Sequence, residues 1–324
     1  MKEIRLQDIE GFRIGSAENS EAGTGCTVII CEQGAPCSVD VRGGGPASRE
    51  SELLNPVAAC DRVHAVLLSG GSAYGLDAAG GVMRYLEEHG VGLSVGEAIV
   101  PLVVQACIFD LTCGENVRPD VAMGYEACVN AEGNPEVIEG NHGVGTGATV
   151  GKLFGESSMM KAGLGTYAVQ LGDLQVGAIV AVNALGDVLK EDGSVLAGML
   201  TPDGQGLADT RKVILENYES IAPILAGAGA ATTNTTIAAI VTNAKFDKTQ
   251  LKKLAQMASN GLVRAICPVN TTADGDSVYA LSVGDVIADI NLAGTAASYA
   301  LENAIRRAIY AAESAYGAPA LKSL

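Results

Sequence analysis

The chain has 324 residues, 48% hydrophobic and 18% charged, which supports a sizeable buried core and argues against wholesale disorder. A formal net charge of −16 and the lack of any Lys/Arg run exclude the basic footprint that nucleic-acid binding requires. Trp is absent and aromatics reach only 4%, so the core must be built from Ala, Val, Leu and Ile, with 41 Gly allowing close backbone approach. The opening segment "MKEIRLQDIEGFRIG" has no apolar signal-peptide region, and no apolar run reaches the roughly 18 residues of a membrane span. The eight cysteines contain no CxxC and mostly sit in apolar surroundings. They read as reduced core thiols of a soluble, cytoplasmic protein, not as a disulfide framework or zinc site.

In chain order, "CTVIICE" (26–32) and "CSVDVRG" (37–43) read as strands, and the intervening "QGAP" suggests a hairpin. "RVHAVLLSGG" (62–71) is a buried strand running into glycines. "AYGLDAAGGVMRYLEEHG" (73–90) has helical apolar spacing and ends on Gly90. The apolar, β-branched run 98–112 predicts a strand, and 120–132 a short helix. Strands are expected at 174–189, broken by a turn, and at 235–243 and 277–284. Residues 190–230, rich in Pro, Gly and charge, read as the least ordered part. Amphipathic helices are expected at 247–266, with Asp247 as N-cap, and at 292–317. Intermixed elements with an early antiparallel hairpin predict a layered α+β sandwich more than a doubly wound parallel sheet.

Three tempting motifs fail. "GTGATVGKL" (145–153) has Thr146 where a P-loop needs Gly and Leu153 where it needs Ser or Thr, so no nucleotide cofactor is expected. "GGSAYG" (70–75) has Tyr74 where a nucleophile elbow needs Gly. The three histidines, 64, 89 and 142, are too scattered for a metal set; only His142 is retained, as a candidate site neighbour.

The stretch "GAGAATTNTTIAAIVTNA" (227–244) crowds Thr232, Thr233, Thr235 and Thr236 before an apolar strand. A hydroxyl attacks poorly unless a base takes its proton, and no histidine is at hand. The nucleophile's own α-amine can serve, with a pKa of about 7.7–8, once the preceding peptide bond is cut. Attack by Thr235 on the Asn234 carbonyl would make that cut and free the amine. The alternative is a Thr-rich strand edge. Downstream, Asp274 and Asp276 flank Gly275 just before a strand, where two carboxylates could orient a hydroxyl or an ammonium. The alternative there is an acidic turn, and calcium is disfavoured because no EF-hand spacing follows.

Taken in order, "GFRIGSAEN", "LLSGGSAYGLDAAGGV", "GTGATVGK", "NTTIAAIVTN" and "DGDSVYALS" resemble the L-aminopeptidase/D-esterase family, which includes β-peptidyl aminopeptidases and nylon-oligomer hydrolases. The likeness covers nearly the whole chain. Asn before Thr235 and Asp274 placed 39 residues after it resemble the nylon-hydrolase branch most closely. The resemblance implies a four-layer αββα sandwich forming a single hydrolase domain. It implies self-cleavage between Asn234 and Thr235 into chains 1–234 and 235–324, and a homo-oligomer of cleaved protomers. It also implies Thr235 as nucleophile, Asp274 and Asp276 orienting it, Lys152 as a nearby cation and Asn183 as oxyanion donor. Phe109 stands where the family often has Tyr, and Tyr74 or a backbone N–H could substitute for the missing hydroxyl. The expected partner is a small peptide or amide, with no metal, cofactor, nucleic acid or membrane. Alternatives are an ornithine-type acetyltransferase with the same nucleophile and a non-catalytic relative acting as a binding protein.

Overall fold

Two β-sheets lie face to face, and each is covered on its outer side by a pair of helices. The computed structural model describes residues 1–228 and 234–324; Thr232 and Thr233 of the threonine run lie outside the described residues. The sheets are built from β1 (Lys2–Ile4), β2 (Arg13–Asn19), β3 (Thr24–Ala35), β4 (Cys37–Val41), β5 (Ala47–Arg49) and β6 (Val63–Ser69). They continue with β7 (Val103–Cys107), β8 (Leu164–Leu171), β9 (Leu174–Asn183), β10 (Thr235–Ala244) and β11 (Ser277–Val286). One sheet runs in the order β1-β8-β9-β10-β11-β4, the other β2-β3-β6-β7-β5. The helices are α1 (Ala78–Glu88), α2 (Val121–Asn130), α3 (Thr210–Glu216), α4 (Tyr218–Ala228), α5 (Lys248–Ala265) and α6 (Ile290–Ala311).

The unbroken apolar runs follow from burial on both faces of the central strands. In β10, Ile237, Ala239 and Val241 enter the core between the sheets. Their neighbours Ala238, Ile240 and Ala244 pack under α5 and α6. β9 and β11 alternate in the same way: Ile179 and Tyr279 face the second sheet, Val180 and Ala280 the helices. Asp247 caps α5 as expected, accepting from Gln250 N–H while the Gln250 side chain accepts from Asp247 N–H. The layers are αββα, as the family resemblance implies.

Three local expectations are corrected. The predicted 26–43 hairpin does not form, because β3 belongs to one sheet and β4 to the other. Pro36 has no N–H to donate to a hairpin ladder; its carbonyl accepts from Ser282 N–H at 3.1 Å, and β4 pairs with β11 instead. The antiparallel character comes from β2–β3 and β8–β9, and each sheet also holds one parallel pair. Residues 190–230 contain α3 and α4, whose short amphipathic pattern is obscured by charge and Pro223. The last helix stops at Ala311 rather than 317, where the chain turns extended and the Tyr316 hydroxyl donates to the Ser20 carbonyl.

Small residues set the spacing of the outer layer. A Cβ at Gly124 would lie 2.0 Å from the Ala78 carbonyl oxygen, so α1 and α2 touch backbone to backbone there. Gly124→Ala should therefore destabilise the fold by roughly 1–3 kcal/mol, as overpacking does. A urea titration with a lowered midpoint and unchanged slope is the expected result; an unmoved midpoint would refute the close crossing.

Candidate active site

Three strand ends meet at one edge of the six-stranded sheet. β9 and β10 are antiparallel, with Asn183 at the end of one opposite Thr235 at the start of the other. β10 and β11 are parallel, with Ile237 beside Ser277, and the register continues outward as a bridge between Asn234 and Asp274. Parallel strands begin at the same edge, so the loop before β11 lies against the residues before β10. The two-residue alternation puts Thr235 on the face of Ile237 and Ala239, toward the second sheet.

The Asn234 carbonyl is the centre of this arrangement. It accepts from Gly275 N–H at 3.0 Å, and the Thr235 hydroxyl contacts the same oxygen. Gly275 is needed for space: a Cβ there would sit 2.9 Å from Thr235 Oγ1 and 2.9 Å from the Gly45 carbonyl oxygen. On either side are the two carboxylates, each 1% exposed. Asp276 accepts from Thr236 N–H at 2.6 Å and from Asn270 N–H at 2.9 Å. Asp274 accepts from Leu185 N–H at 3.3 Å and from the N–H and hydroxyl of Thr271. Burial, reinforced by the Asp274 charge, pushes the Asp276 carboxyl up to about 7. Gly43, Gly44 and Gly45 back the loop, donating N–H groups to the carbonyls of Asp276, Thr271 and Asp274.

Lys152 and Asn183 form the next layer. The Lys152 ammonium donates to Asn183 Oδ1 at 2.7 Å and to its carbonyl at 3.3 Å. Burial lowers the Lys152 pKa to about 8, offset in part by the charges of Asp274, Asp110 and Asp276. Asn183 Oδ1 also accepts from Thr149 N–H at 3.1 Å, and its amide donates to the Phe109 carbonyl at 2.9 Å. In the continuous chain the Gly275 backbone and the Thr235 hydroxyl donate to the Asn234 carbonyl, while the Asn183 amide donates to Phe109. Phe109 joins the cluster through its carbonyl.

Two sequence candidates lie apart. Tyr74 is 60% exposed, with the Arg118 guanidinium 4.0 Å above its ring. His142 pairs with Glu18 at 3.1 Å on the surface. Three groups were not anticipated: the Gly275 N–H, buried Asp110 and buried Lys161. Lys161 donates to the carbonyls of Gly145, Ala148 and Ala162 within 3.1 Å, which accounts for it as a structural cation. Among the described residues no group of three His, Cys, Asp or Glu side chains could hold a metal, and no helix is long and apolar enough to cross a membrane.

The model of peptidase family S58 matches residues 5–321. An uncharacterised aminopeptidase of Mycobacterium leprae is 36% identical, covering 97% of this chain and 92% of its own. A 6-aminohexanoate-oligomer endohydrolase of Agromyces is 32% identical, covering 88% of this chain and 76% of its own. The mycobacterial protein is thus the nearer of the two, which corrects the expected closest likeness to the nylon-hydrolase branch. The solved L-aminopeptidase D-Ala-esterase/amidase of Ochrobactrum anthropi, described as a variant of the Ntn-hydrolase fold, superposes with a TM-score of 0.70 at 19% identity. That match covers 95% of this chain and 86% of the other, and it shows the shared fold.

Asp276 ties two backbone donors to one carboxylate. Asp276→Ala should leave both without an acceptor and cost roughly 2–4 kcal/mol. Urea unfolding checks this, and a wild-type midpoint would show that Asp276 does not hold the loop.

Proposed function

The chain belongs to peptidase family S58, and from that premise we propose that it is a self-processing aminopeptidase or amidase with Thr235 as nucleophile. The observation that carries this reading is a single carbonyl, that of Asn234, held by Gly275 N–H with the Thr235 hydroxyl against it. In the maturation step Thr235 Oγ1 adds to the Asn234 carbonyl carbon. The carbon–nitrogen bond breaks, the Thr235 nitrogen gains the hydroxyl proton, and an ester remains. Water cleaves the ester, leaving a carboxylate on Asn234 and a free hydroxyl and α-amine on Thr235.

The same parts then serve turnover. The freed amine takes the Thr235 hydroxyl proton as the oxygen attacks a substrate amide, and passes it to the leaving amine. Water releases the acyl group and restores the threonine. Gly275 N–H is aimed where the oxyanion develops, and one such donor contributes roughly 3–4 kcal/mol. Asp274 and Asp276 stabilise the transient ammonium, and Lys152 favours the negative oxygen. With the chain cut, the Asn183 amide, one residue pair across the sheet, is a second candidate donor. A cavity of about 590 Å³ opens beside the loop after Lys152, lined by Phe154, Met199, Leu200, Pro202 and Ile221 among others. Its lining carries no charged side chain, which suits an uncharged arm of a small peptide or amide.

Intact-mass measurement of the purified protein should give two species, the smaller starting at Thr235, and Thr235→Ala should give one. If Thr235→Ala still splits at that bond, the reading is wrong. Hydrolysis of aminoacyl-nitroanilides should fall at least about 1,000-fold in that variant. Activity should drop below about pH 8 as the α-amine gains a proton. It should drop again on the alkaline side as Lys152, at about 8, loses its own. A flat profile from pH 6 to 10 would contradict the assignment of roles.

A further inference from the structure

Asp110 is a carboxylate, 2% exposed, that the mechanism above does not use. It accepts from the Thr24 hydroxyl at 2.7 Å and from Gly71 N–H at 2.6 Å. Two glycines leave room for it. A Cβ at Gly70 would lie 2.0 Å from Asp110 Oδ2, and one at Gly147 would lie 2.6 Å from Asp110 Cβ. Three separate segments therefore converge on one buried acid: the start of β3, the turn after β6 and the glycine-rich loop leading to Lys152. The residue before it, Phe109, supplies the carbonyl that accepts the Asn183 amide at 2.9 Å. Asn183 in turn holds Lys152 at 2.7 Å.

The titratable groups around Asp110 are Cys107 on the preceding strand, Cys113 in the following loop, and Lys152 and Lys161 from the 145–161 segment. Burial raises both thiols, so near neutral pH neither carries charge. Lys161 is held by its three backbone carbonyls. Lys152 is the cation whose protonation the Asp110 charge supports within the reactive cluster. Burial raises Asp110 itself to about 6, so it is ionised at neutral pH and above.

We propose that Asp110 is a positioning residue for this site: its carboxylate clamps Thr24 and Gly71 beside Phe109, whose carbonyl holds the Asn183 amide next to Lys152. The geometric half sets the direction of the Asn183 amide. An electrostatic half accompanies it: the Asp110 charge, together with those of Asp274 and Asp276, favours the Lys152 ammonium. Both rest on the functional reading given above, but the second can be measured without any substrate.

Asp110→Asn separates the two halves. Its amide oxygen can still accept from Gly71 N–H, and its NH₂ can donate to the Thr24 hydroxyl, so the clamp survives and the charge is lost. Competitive acetic-anhydride labelling of the full chain between pH 6 and 10, read by peptide mass spectrometry, gives the Lys152 midpoint directly. The midpoint should move down in Asp110→Asn, because a charge that favours the ammonium is lost. The alkaline limb of nitroanilide hydrolysis should move with it. A merely structural role would lower the rate at every pH and leave both midpoints in place, which overturns the electrostatic half. Thr24→Val keeps the charge and removes one clamp bond. It should lower kcat several-fold with KM and the Lys152 midpoint held, and an unchanged kcat overturns the geometric half. This second variant keeps the proposal testable should Asp110→Asn not fold. A cleaved, active enzyme whose midpoint does not shift sinks the electrostatic half alone. A shifted midpoint in Asp110→Asn, beside an unsubstituted chain that neither cleaves nor hydrolyses, supports it and sinks the functional reading instead.

Discussion

The parallel pairing of β10 with β11 is the interaction on which the site depends. Both strands start at the same edge, so a hydroxyl at the head of one meets carboxylates just before the other. The antiparallel strand β9 ends at that edge and brings Asn183 opposite Thr235. Register is secured by burial on both faces. A slip of one residue would turn Ile237 and Val241 from the inter-sheet core toward the helices and would turn Thr235 with them. The apolar alternation that stabilises the sheet is therefore the same feature that aims the hydroxyl.

The electrostatics of the site follow from dry surroundings more than from the net charge of −16. Burial raises Asp110 to about 6 and Asp276 to about 7, and it lowers Lys152 to about 8 and Lys161 to about 7. Acids and bases are both driven toward neutrality, the pattern of groups whose charged forms have lost water. What separates them is their partners. Lys161 is satisfied by three main-chain carbonyls, whereas Lys152 donates to the side chain of Asn183, opposite Thr235 in the sheet. A perturbed lysine on backbone carbonyls reads as scaffold; one on a buried side-chain amide beside two buried acids is a candidate site group.

The short motifs point to the family, and identity over the whole chain orders its members. By that measure the mycobacterial aminopeptidase, at 36%, is nearer than the Agromyces endohydrolase, at 32%.

The sequence by itself determined the central strands, expected at 174–189, 235–243 and 277–284 and found at Leu174–Asn183, Thr235–Ala244 and Ser277–Val286, and the existence of α1, α2, α5 and α6. These depend on local apolar periodicity, a capping aspartate and terminal glycines, all of which act within a few residues. It also singled out Thr235, Asp274 and Asp276, because hydroxyl and carboxylate side chains before a strand are visible as letters. Tertiary structure alone decided that β3 and β4 part into different sheets, that Gly275 N–H lies on the Asn234 carbonyl, and that Asn183 reaches Phe109. It also brought Asp110 into the cluster from across the second sheet. A backbone N–H has no side-chain signature, and sheet membership is set by pairing between segments hundreds of residues apart, so neither can be written in any short stretch of the chain.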